Sequence, residues 1–218
     1  MTMQQKKRIV ILISGSGSNM VNLVEHCQAG KINADVVAVI ANKADAAGLA
    51  KAEKLGVATE CVPHQGYESR EAYDQVLVER VQSYQPDLVI LAGFMRILTP
   101  VFVSAFADRT LNIHPSLLPK YKGMHTHQRA LEAGDEEHGV SVHFVTEELD
   151  GGPVILQAKV PIFAGDEVED LQERVHEQEY RIYPLVVRWF CSDRLRLMAG
   201  KAHLDGAGLG PQGYASDD

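Results

Sequence analysis

Cysteine is scarce in this 218-residue sequence, which has only three: Cys27, Cys61 and Cys191. They lie far apart, their number is odd, and no two of them form a CxxC pair. A disulfide framework or a zinc knuckle needs paired or closely spaced cysteines, so the sequence supports neither. We therefore expect free thiols in a reducing compartment, and the cytoplasm as the location of the protein.

Long apolar runs are also lacking. The first run, Ile9–Ile13, is too short for the core of a secretion signal, and no small-residue cleavage site follows it. No stretch approaches the roughly 20 apolar residues that a membrane-spanning helix requires. We expect neither a signal peptide nor a membrane segment.

Basic charge is not in excess. The chain has 21 Lys and Arg residues against 29 Asp and Glu residues, a net charge of −8 with histidine neutral. Nucleic acids and anionic membranes bind clustered basic residues, so the composition argues against both as partners. A small anionic ligand held by a few local donors stays compatible with this charge. The remaining composition, 45% hydrophobic and 23% charged, is typical of a soluble globular enzyme, and the length favours one domain.

Strand patterns alternate with helix patterns through the first half of the chain. Strands are predicted at Arg8–Ser14, Ala34–Ala41, Val57–Val62 and Asp87–Ala92, and helices at Met20–Ala29, Ala46–Leu55 and Ser69–Tyr84. The strands are continuous apolar runs, as in sheets that are buried on both faces. This order predicts an α/β fold with a doubly wound, mostly parallel sheet and right-handed crossovers.

The second half of the chain has a looser pattern. Strands are predicted at Thr110–Ile113, Gly139–Thr146 and Pro153–Pro161, a loop at Ser116–Thr126, and helices at Gln128–Ala133 and Glu167–Phe190. Two strands so close together predict an antiparallel addition to the sheet. Pro184 should break or kink the longer helix. The last twenty residues carry five glycines and should form a tail over the surface.

A glycine-rich loop, Ser14–Asn19, joins the first strand to the first helix. Its successive backbone N–H groups, together with the positive end of the helix dipole, can bind an anion. Met20 stands where the dinucleotide fingerprint needs its third glycine, and Asn42 rather than an acid follows the second strand. The pattern therefore favours a monophosphate over NAD or ATP, and a tight turn that only serves packing is the alternative.

Asn112 and His114 lie at the end of a short predicted strand, where open α/β sheets bind their ligands. Two residues apart, they point to the same side of the strand, and an amide beside an imidazole can stabilise an oxyanion. A capped strand end is the structural alternative. His125 and His127 could suggest a metal, but no carboxylate or cysteine pattern completes a ligand set, so we predict none. Asp150 precedes a Gly-Gly-Pro turn that would fix its position.

Four motifs together resemble the folate-dependent formyltransferases that act on glycinamide ribonucleotide in purine synthesis. They are SGSGSN at 14–19, LAGFMRIL at 91–98, LNIHPSLLPKY at 111–121 and SVHFVTEELDGGPVILQ at 141–157. The resemblance covers nearly the whole chain. It implies that a formyl group passes from 10-formyltetrahydrofolate, the co-substrate, to the glycine amine of 5-phosphoribosylglycinamide, with no metal. It also implies one domain over 1–218, with a phosphate-binding half over about 1–100, a folate and catalytic half over about 101–190, and a surface tail over about 199–218.

By position, the resemblance assigns catalysis to Asn112, His114 and Asp150. Asn112 and a protonated His114 would stabilise the oxyanion formed by direct attack of the amine, and Asp150 would favour the imidazolium form of His114. The ribonucleotide would be bound by its phosphate at Gly17, Ser18 and Asn19 and by a ribose hydroxyl at Glu179. The formyl-folate would be bound by Arg70 at its glutamate tail, by Met95, Arg96, Ile97 and Leu98 around the pterin, and by Asn112, Glu147, Glu148, Leu149 and Asp150.

Three other functions compete with this interpretation. A methionyl-tRNA formyltransferase would need a further basic C-terminal domain, and a formyltetrahydrofolate hydrolase would need an N-terminal regulatory domain and no phosphate loop. A non-catalytic nucleotide- or folate-binding module would not need the trio Asn112, His114 and Asp150. We expect a monomer or homodimer, with Ser116–Glu137 as a candidate flap.

Overall fold

The structure is a computed structural model that describes residues 5–215. The chain divides into two compact units, Met1–Leu111 and Asn112–Asp218. Its described residues form a larger sheet of seven strands and a smaller sheet of three.

The first unit contains parallel strands and the helices that connect them. The strands are β1 Lys7–Ile13, β2 Ala34–Ala41, β3 Thr59–Cys61 and β4 Leu88–Leu91, and the helices are α1 Ser18–Gln28, α2 Ala47–Lys54, α3 Arg70–Ser83 and α4 Pro100–Ala105. Strand β1 pairs in parallel with both β2 and β4. Strands β2 and β3 are therefore added on one side of β1, and β4 is added on the other side. The order of strand addition changes direction between β1 and β4. In open α/β sheets the loops at such a reversal are where ligands bind.

The second unit begins within β5 and combines an antiparallel strand pair with a long helix. Its elements are β5 Thr110–His114, α5 Thr126–Glu132, β6 Glu137–Phe144, β7 Val154–Pro161, α6 Val168–Cys191, β8 Leu195–Met198, β9 Lys201–Leu204 and β10 Ala207–Gly208. Strands β6 and β7 are antiparallel, and their register shifts between Val142 and His143. The larger sheet has the strand order β3-β2-β1-β4-β5-β6-β7. The small sheet has the order β10-β9-β8 and is antiparallel throughout.

The predicted fold class, a mostly parallel α/β sheet with an antiparallel addition, is confirmed. The continuous apolar runs explain it, because the strand centres are buried on both faces: Val10–Ile13 are fully buried in β1, and Leu88–Ile90 in β4. Within residues 5–215, no helix has the length and apolar character needed to cross a membrane.

Some elements differ from the prediction. Helix α1 begins at Ser18, two residues earlier than expected, so it extends into the glycine-rich loop. Helix α4 is not predicted at all, because six residues are too few for a helical period to show in the sequence. Pro184 does not break α6, which runs without interruption from Val168 to Cys191.

The last twenty residues, which are predicted to form a surface tail, contain the short strands β9 and β10. Gly200 and Gly206, which suggested a tail, have φ of +74° and +82° and form the turns between the short strands. Ala202 and Leu204 of β9 are buried. The end of the predicted tail, residues 216–218, lies outside the described residues.

Candidate active site

The glycine-rich loop of the first unit leads directly into α1. Gly17 is the N-cap of this helix with a φ of +69°, a left-handed conformation that residues with a Cβ rarely adopt. Because α1 begins at Ser18, the backbone N–H groups of Ser18 and Asn19 lie in the first turn and point out of the helix end. With the helix dipole, this geometry can bind a phosphate.

Helix α2 packs against the glycine-rich loop through a second glycine. The backbone N–H of Gly48 donates to the carbonyl of Gly15 over 2.9 Å. A Cβ on Gly48 would overlap the side chain of Ile13 and lie 3.1 Å from the Cα of Gly17. The Lys51 ammonium, one turn further along α2, donates to the Ser16 carbonyl over 2.8 Å. The loop therefore depends on α2 for its shape.

The segment after β4 carries four of the residues predicted to bind folate. Met95 and Ile97 are 60% and 51% exposed, while Arg96 and Leu98 are half-buried. An exposed thioether and an exposed aliphatic side chain next to each other offer an apolar surface to a ligand. Arg70, the first residue of α3, donates from Nη2 to the carbonyl of Ile97 over 2.7 Å. The unit thus brings Arg70 to the predicted pterin-binding segment.

In the second unit, His114 is buried at the end of β5 with an acceptor at each ring nitrogen. Its Nε2 lies 2.8 Å from the carbonyl oxygen of Tyr121, so Nε2 carries a proton and donates it. Its Nδ1 lies 3.5 Å from Oδ2 of Asp150, and each of these side chains is only 8% exposed. Asn112, two residues earlier on the same strand, is half-buried.

Asn112 is held by a residue that the sequence analysis did not select, His143 on β6. The Nδ2 of Asn112 donates to Nε2 of His143 over 3.1 Å. The other ring nitrogen, Nδ1, donates to the Phe144 carbonyl over 2.9 Å, so Nε2 is free to accept. Burial lowers the pKa of His143, which is therefore neutral at pH 7. Its Nε2 also lies 4.0 Å from Oδ1 of Asp150, so Asn112, His143 and the acid lie close together.

Asp150 is fixed by the turn that precedes β7. Its φ is +49°, and its Oδ2 accepts the backbone N–H of Gly123 over 2.9 Å. The turn needs glycine, because a Cβ on Gly152 would overlap the carbonyl oxygen of Phe144. The turn was predicted to fix the position of Asp150, and in the structure its carboxylate lies 3.5 Å from Nδ1 of His114.

The other predicted residues of the second unit have more varied surroundings. Glu147, Glu148 and Leu149 are exposed, and Glu148 pairs with Lys122 over 2.7 Å. Glu179 is buried on α6, with one carboxylate oxygen 3.9 Å from Nε2 of His176. A buried carboxylate can bind a hydroxyl specifically, because it accepts hydrogen bonds only.

The two histidines considered as metal ligands do not act together. His125 is the N-cap of α5, whereas Nδ1 of His127 lies 3.0 Å from Nε2 of His138. Burial lowers the pKa of both His127 and His138 to about 4, so they form a neutral pair at pH 7. Among residues 5–215, no group of three or more His, Cys, Asp or Glu side chains is arranged to hold a metal ion.

His143 and the backbone groups of Tyr121 and Gly123 were not predicted from the sequence. His143 lies in a run, Gly139–Phe144, whose residues are all buried, so alternation gave no indication of which side chains face a site. The backbone groups carry no sequence signal. The motif LNIHPSLLPKY ends at Tyr121, but its sequence does not indicate that the Tyr121 carbonyl accepts a hydrogen bond from His114.

Known proteins resemble this chain closely. Residues 7–187 match the formyl transferase family. A phosphoribosylglycinamide formyltransferase of Escherichia coli is 59% identical over 210 residues, 96% of this chain and 99% of the relative. One of Haemophilus influenzae is 49% identical over 211 residues, 97% of this chain and 100% of the relative.

The fold agrees with a solved structure. The phosphoribosylglycinamide formyltransferase of Coxiella burnetii superposes with a TM-score of 0.92 at 45% identity, over 96% of this chain and 98% of that one. Sequence and fold therefore agree over nearly the whole length. The chain belongs to the formyl transferase family and, within it, to the phosphoribosylglycinamide formyltransferases, formyl-transferring enzymes of purine biosynthesis.

Proposed function

We propose that the enzyme transfers the formyl group of 10-formyltetrahydrofolate to the glycine amine of 5-phosphoribosylglycinamide, with Asn112, His114 and Asp150 as catalytic residues. The observation that carries this proposal is the buried His114, held between the Tyr121 carbonyl and the Asp150 carboxylate. The names of the relatives support the reaction. No metal takes part in the proposed mechanism.

In the proposed reaction the amine nitrogen attacks the formyl carbon and forms a tetrahedral oxyanion. The intermediate then collapses as the bond between the formyl carbon and N10 of the folate breaks. The amine loses one proton and N10 gains one, so the products are the formylated ribonucleotide and tetrahydrofolate. The protein contributes mainly by stabilising the oxyanion with donors that are in place beforehand.

His114 is suited to that task in its imidazolium form. A neutral imidazole has one N–H, whereas the surroundings of His114 present an acceptor at both nitrogens. The imidazolium satisfies both, and the buried carboxylate of Asp150 balances its charge. The formyl oxygen would replace the Tyr121 carbonyl as the acceptor at Nε2. Residues around Tyr121 must therefore shift when the substrate binds, which supports Ser116–Glu137 as a flap.

Asn112 supplies a second donor whose orientation is set in advance. One N–H of its amide is engaged by His143, which fixes the amide plane and leaves the other N–H for the oxyanion. A donor that is already oriented does not have to reorganise during the reaction, and this is the source of its catalytic effect.

Further contacts are proposed for substrate and co-substrate binding. The phosphate would accept from backbone N–H groups at Gly17, Ser18 and Asn19, and a ribose hydroxyl would donate to Glu179. For the formyl-folate we propose Arg70, Met95, Arg96, Ile97 and Leu98 in the first unit, and Asn112, Glu147, Glu148, Leu149 and Asp150 in the second. The exposed Met95 and Ile97 support an apolar contact with the pterin.

The experiment follows folate absorbance with 10-formyltetrahydrofolate, with and without the ribonucleotide, for the wild type, His114→Ala and Asp150→Ala. We expect each variant to lose kcat by roughly 10²–10⁴-fold while it stays folded, because a donor to the oxyanion or its charge partner is removed. His203→Ala, a histidine of the small sheet, is the matched control and should keep full activity.

Each outcome separates the competing functions. Turnover that does not need the ribonucleotide would indicate a formyltetrahydrofolate hydrolase. Binding without any turnover would indicate a non-catalytic module. A kcat near that of the wild type in either variant would refute the assigned roles.

A further inference from the structure

A carboxylate that has been assigned no role so far, that of Asp74, is buried on α3. Asp74 is 0% exposed, and its neighbours on the helix, Tyr73 and Leu77, are fully buried as well. Burying a carboxylate is unfavourable unless hydrogen bonds and an opposite charge compensate for its lost hydration. The partners of Asp74 therefore indicate the role of its negative charge.

Those partners belong to the segment that follows β4. Oδ2 of Asp74 accepts from both the backbone N–H and the hydroxyl of Thr99, each over 2.7 Å. Oδ1 lies 3.9 Å from Nε of Arg96, and within residues 5–215 neither of these two atoms has a hydrogen-bond partner. Since a pair at this distance in a buried place is held by charge, Asp74 is the counter-ion of Arg96.

Arg96 is held from a second direction by an aromatic ring. Its guanidinium lies over the ring of Tyr73, 4.0 Å from the ring centroid, which is a cation–π geometry. Tyr73 itself donates from its hydroxyl to the Val62 carbonyl over 2.8 Å, so the ring is fixed. Two consecutive residues of α3 thus determine where the guanidinium lies.

The other end of the segment is tied to the end of β1. The Met95 backbone N–H donates to the hydroxyl of Ser14 over 2.8 Å, and that hydroxyl donates to the side chain of Asn42 over 2.6 Å. Residues 94–98 contain no helix or strand, so such side-chain bonds give the segment its shape. Asp74 holds the same segment at Arg96 and, just after its last residue, at Thr99.

We propose that Asp74 is a positioning residue for the formyl-folate, acting through Thr99 and Arg96 on the segment Met95–Leu98. The proposal rests on the proposed function, in which this segment binds the pterin. An asparagine at this position could still accept both hydrogen bonds from Thr99, but it could not balance the charge of Arg96. The negative charge is therefore the property to be tested.

The test compares Asp74→Asn with the wild type by tetrahydrofolate binding in a calorimeter and by steady-state kinetics. We expect Asp74→Asn to weaken tetrahydrofolate binding about 10-fold, which corresponds to one misplaced charged contact. The KM for 10-formyltetrahydrofolate should rise by a similar factor. The KM for the ribonucleotide should change by less than about 2-fold, because the contacts of Asp74 go to Thr99 and Arg96 and not to the phosphate-binding residues Gly17–Asn19.

Variants of Thr99 separate the hydrogen bonds from the charge. Thr99→Ser keeps the hydroxyl and should bind tetrahydrofolate as the wild type does, whereas Thr99→Val loses one bond to Asp74 and should bind about 3-fold more weakly. The matched control is Asp87→Asn. Asp87 accepts the backbone N–H of Arg8 over 2.8 Å at the opposite end of β4, so this change should leave both KM values unaltered.

Thermal unfolding of each variant completes the test. If Asp74→Asn lowers Tm but leaves tetrahydrofolate binding unchanged, Asp74 only stabilises the fold and the proposal is overturned. The same conclusion follows if the KM values for both substrates rise together. A wild type that binds tetrahydrofolate but transfers no formyl group would contradict the proposed function, and the binding comparison would still decide the role of Asp74.

Discussion

His143 shows how a residue outside the reacting groups can govern the orientation of one of them. Because its Nδ1 proton is committed to the Phe144 carbonyl, only its Nε2 lone pair is left for Asn112. This arrangement distinguishes the two ends of the Asn112 amide and directs its NH₂ group toward His143. The neutral state that burial imposes on His143 is required, since an imidazolium could not accept this bond.

A first prediction concerns the substitution His143→Phe, which keeps the ring volume and removes both hydrogen bonds. We expect kcat to fall roughly 10- to 100-fold, since a misoriented donor stabilises the oxyanion poorly. His143→Gln, whose amide oxygen can accept from Asn112, should lose less activity. Steady-state kinetics with thermal unfolding as the fold control would measure this, and a His143→Phe enzyme with unchanged kcat would contradict it.

At the scale of elements, the contact between α2 and the glycine-rich loop determines the geometry of the predicted phosphate site. The pairing of Gly48 with Gly15 and Gly17 lets two stretches of backbone approach more closely than any side chain would allow. The conformation of the loop therefore depends on glycines on both sides of the contact. The sequence indicated only the glycines of the SGSGSN motif, and not Gly48.

We accordingly predict that Gly48→Ala impairs ribonucleotide binding. The added methyl group would overlap the Ile13 side chain and press on Gly17, so α2 or the loop must move. We expect the free energy of unfolding to fall by about 1–3 kcal/mol and the ribonucleotide KM to rise several-fold.

The KM for 10-formyltetrahydrofolate is the internal control for Gly48→Ala and should stay unchanged. Gly210→Ala is the matched variant, because a Cβ there meets no atom within 4 Å and the residue has no positive φ. Equal ribonucleotide KM values for Gly48→Ala and the wild type would show that the close approach does not matter for binding.

For the whole molecule, buried histidines make stability depend on pH. Burial lowers the pKa of His127 and His138 to about 4, below the 6.5 of an exposed histidine. Between these values the unfolded chain binds more protons than the folded one, so acidification favours unfolding. Their contribution to stability is complete above about pH 6.5 and is lost as the pH falls toward 4. His143 acts in the same direction.

We therefore predict that the free energy of unfolding, measured by urea titration, decreases steadily from pH 6.5 to pH 4. The double variant His127→Gln, His138→Gln should have a shallower dependence in this window, because two of the groups responsible are absent. Asp135 and Asp166, whose pKa values are lowered by hydrogen bonds to Tyr121 and Arg174, lose their contribution only below about pH 4. Identical slopes for variant and wild type would refute the assignment to these histidines.

The α/β class could be predicted from residue type and spacing, because short β-branched apolar runs that alternate with helical patterns are typical of strands buried on both faces. The sequence also determined that Asn112 and His114 share one side of a strand, since side chains alternate along a strand with a period of two. The Gly-Gly-Pro turn predicted a fixed Asp150, and the structure brings that carboxylate to His114. These are local consequences of residue type and spacing.

Which other side chains reach these groups depends on packing and could not be predicted from the sequence. Asp74 lies in a helix whose sequence gives no indication that an acid is buried, and its partners Thr99 and Arg96 are more than twenty residues away. The sequence has five histidines between residues 114 and 143, and His143 could be selected from them only once the strand pairing was known. Contacts between distant residues depend on packing and on how the elements pair. Neither can be predicted from the spacing of neighbouring residues.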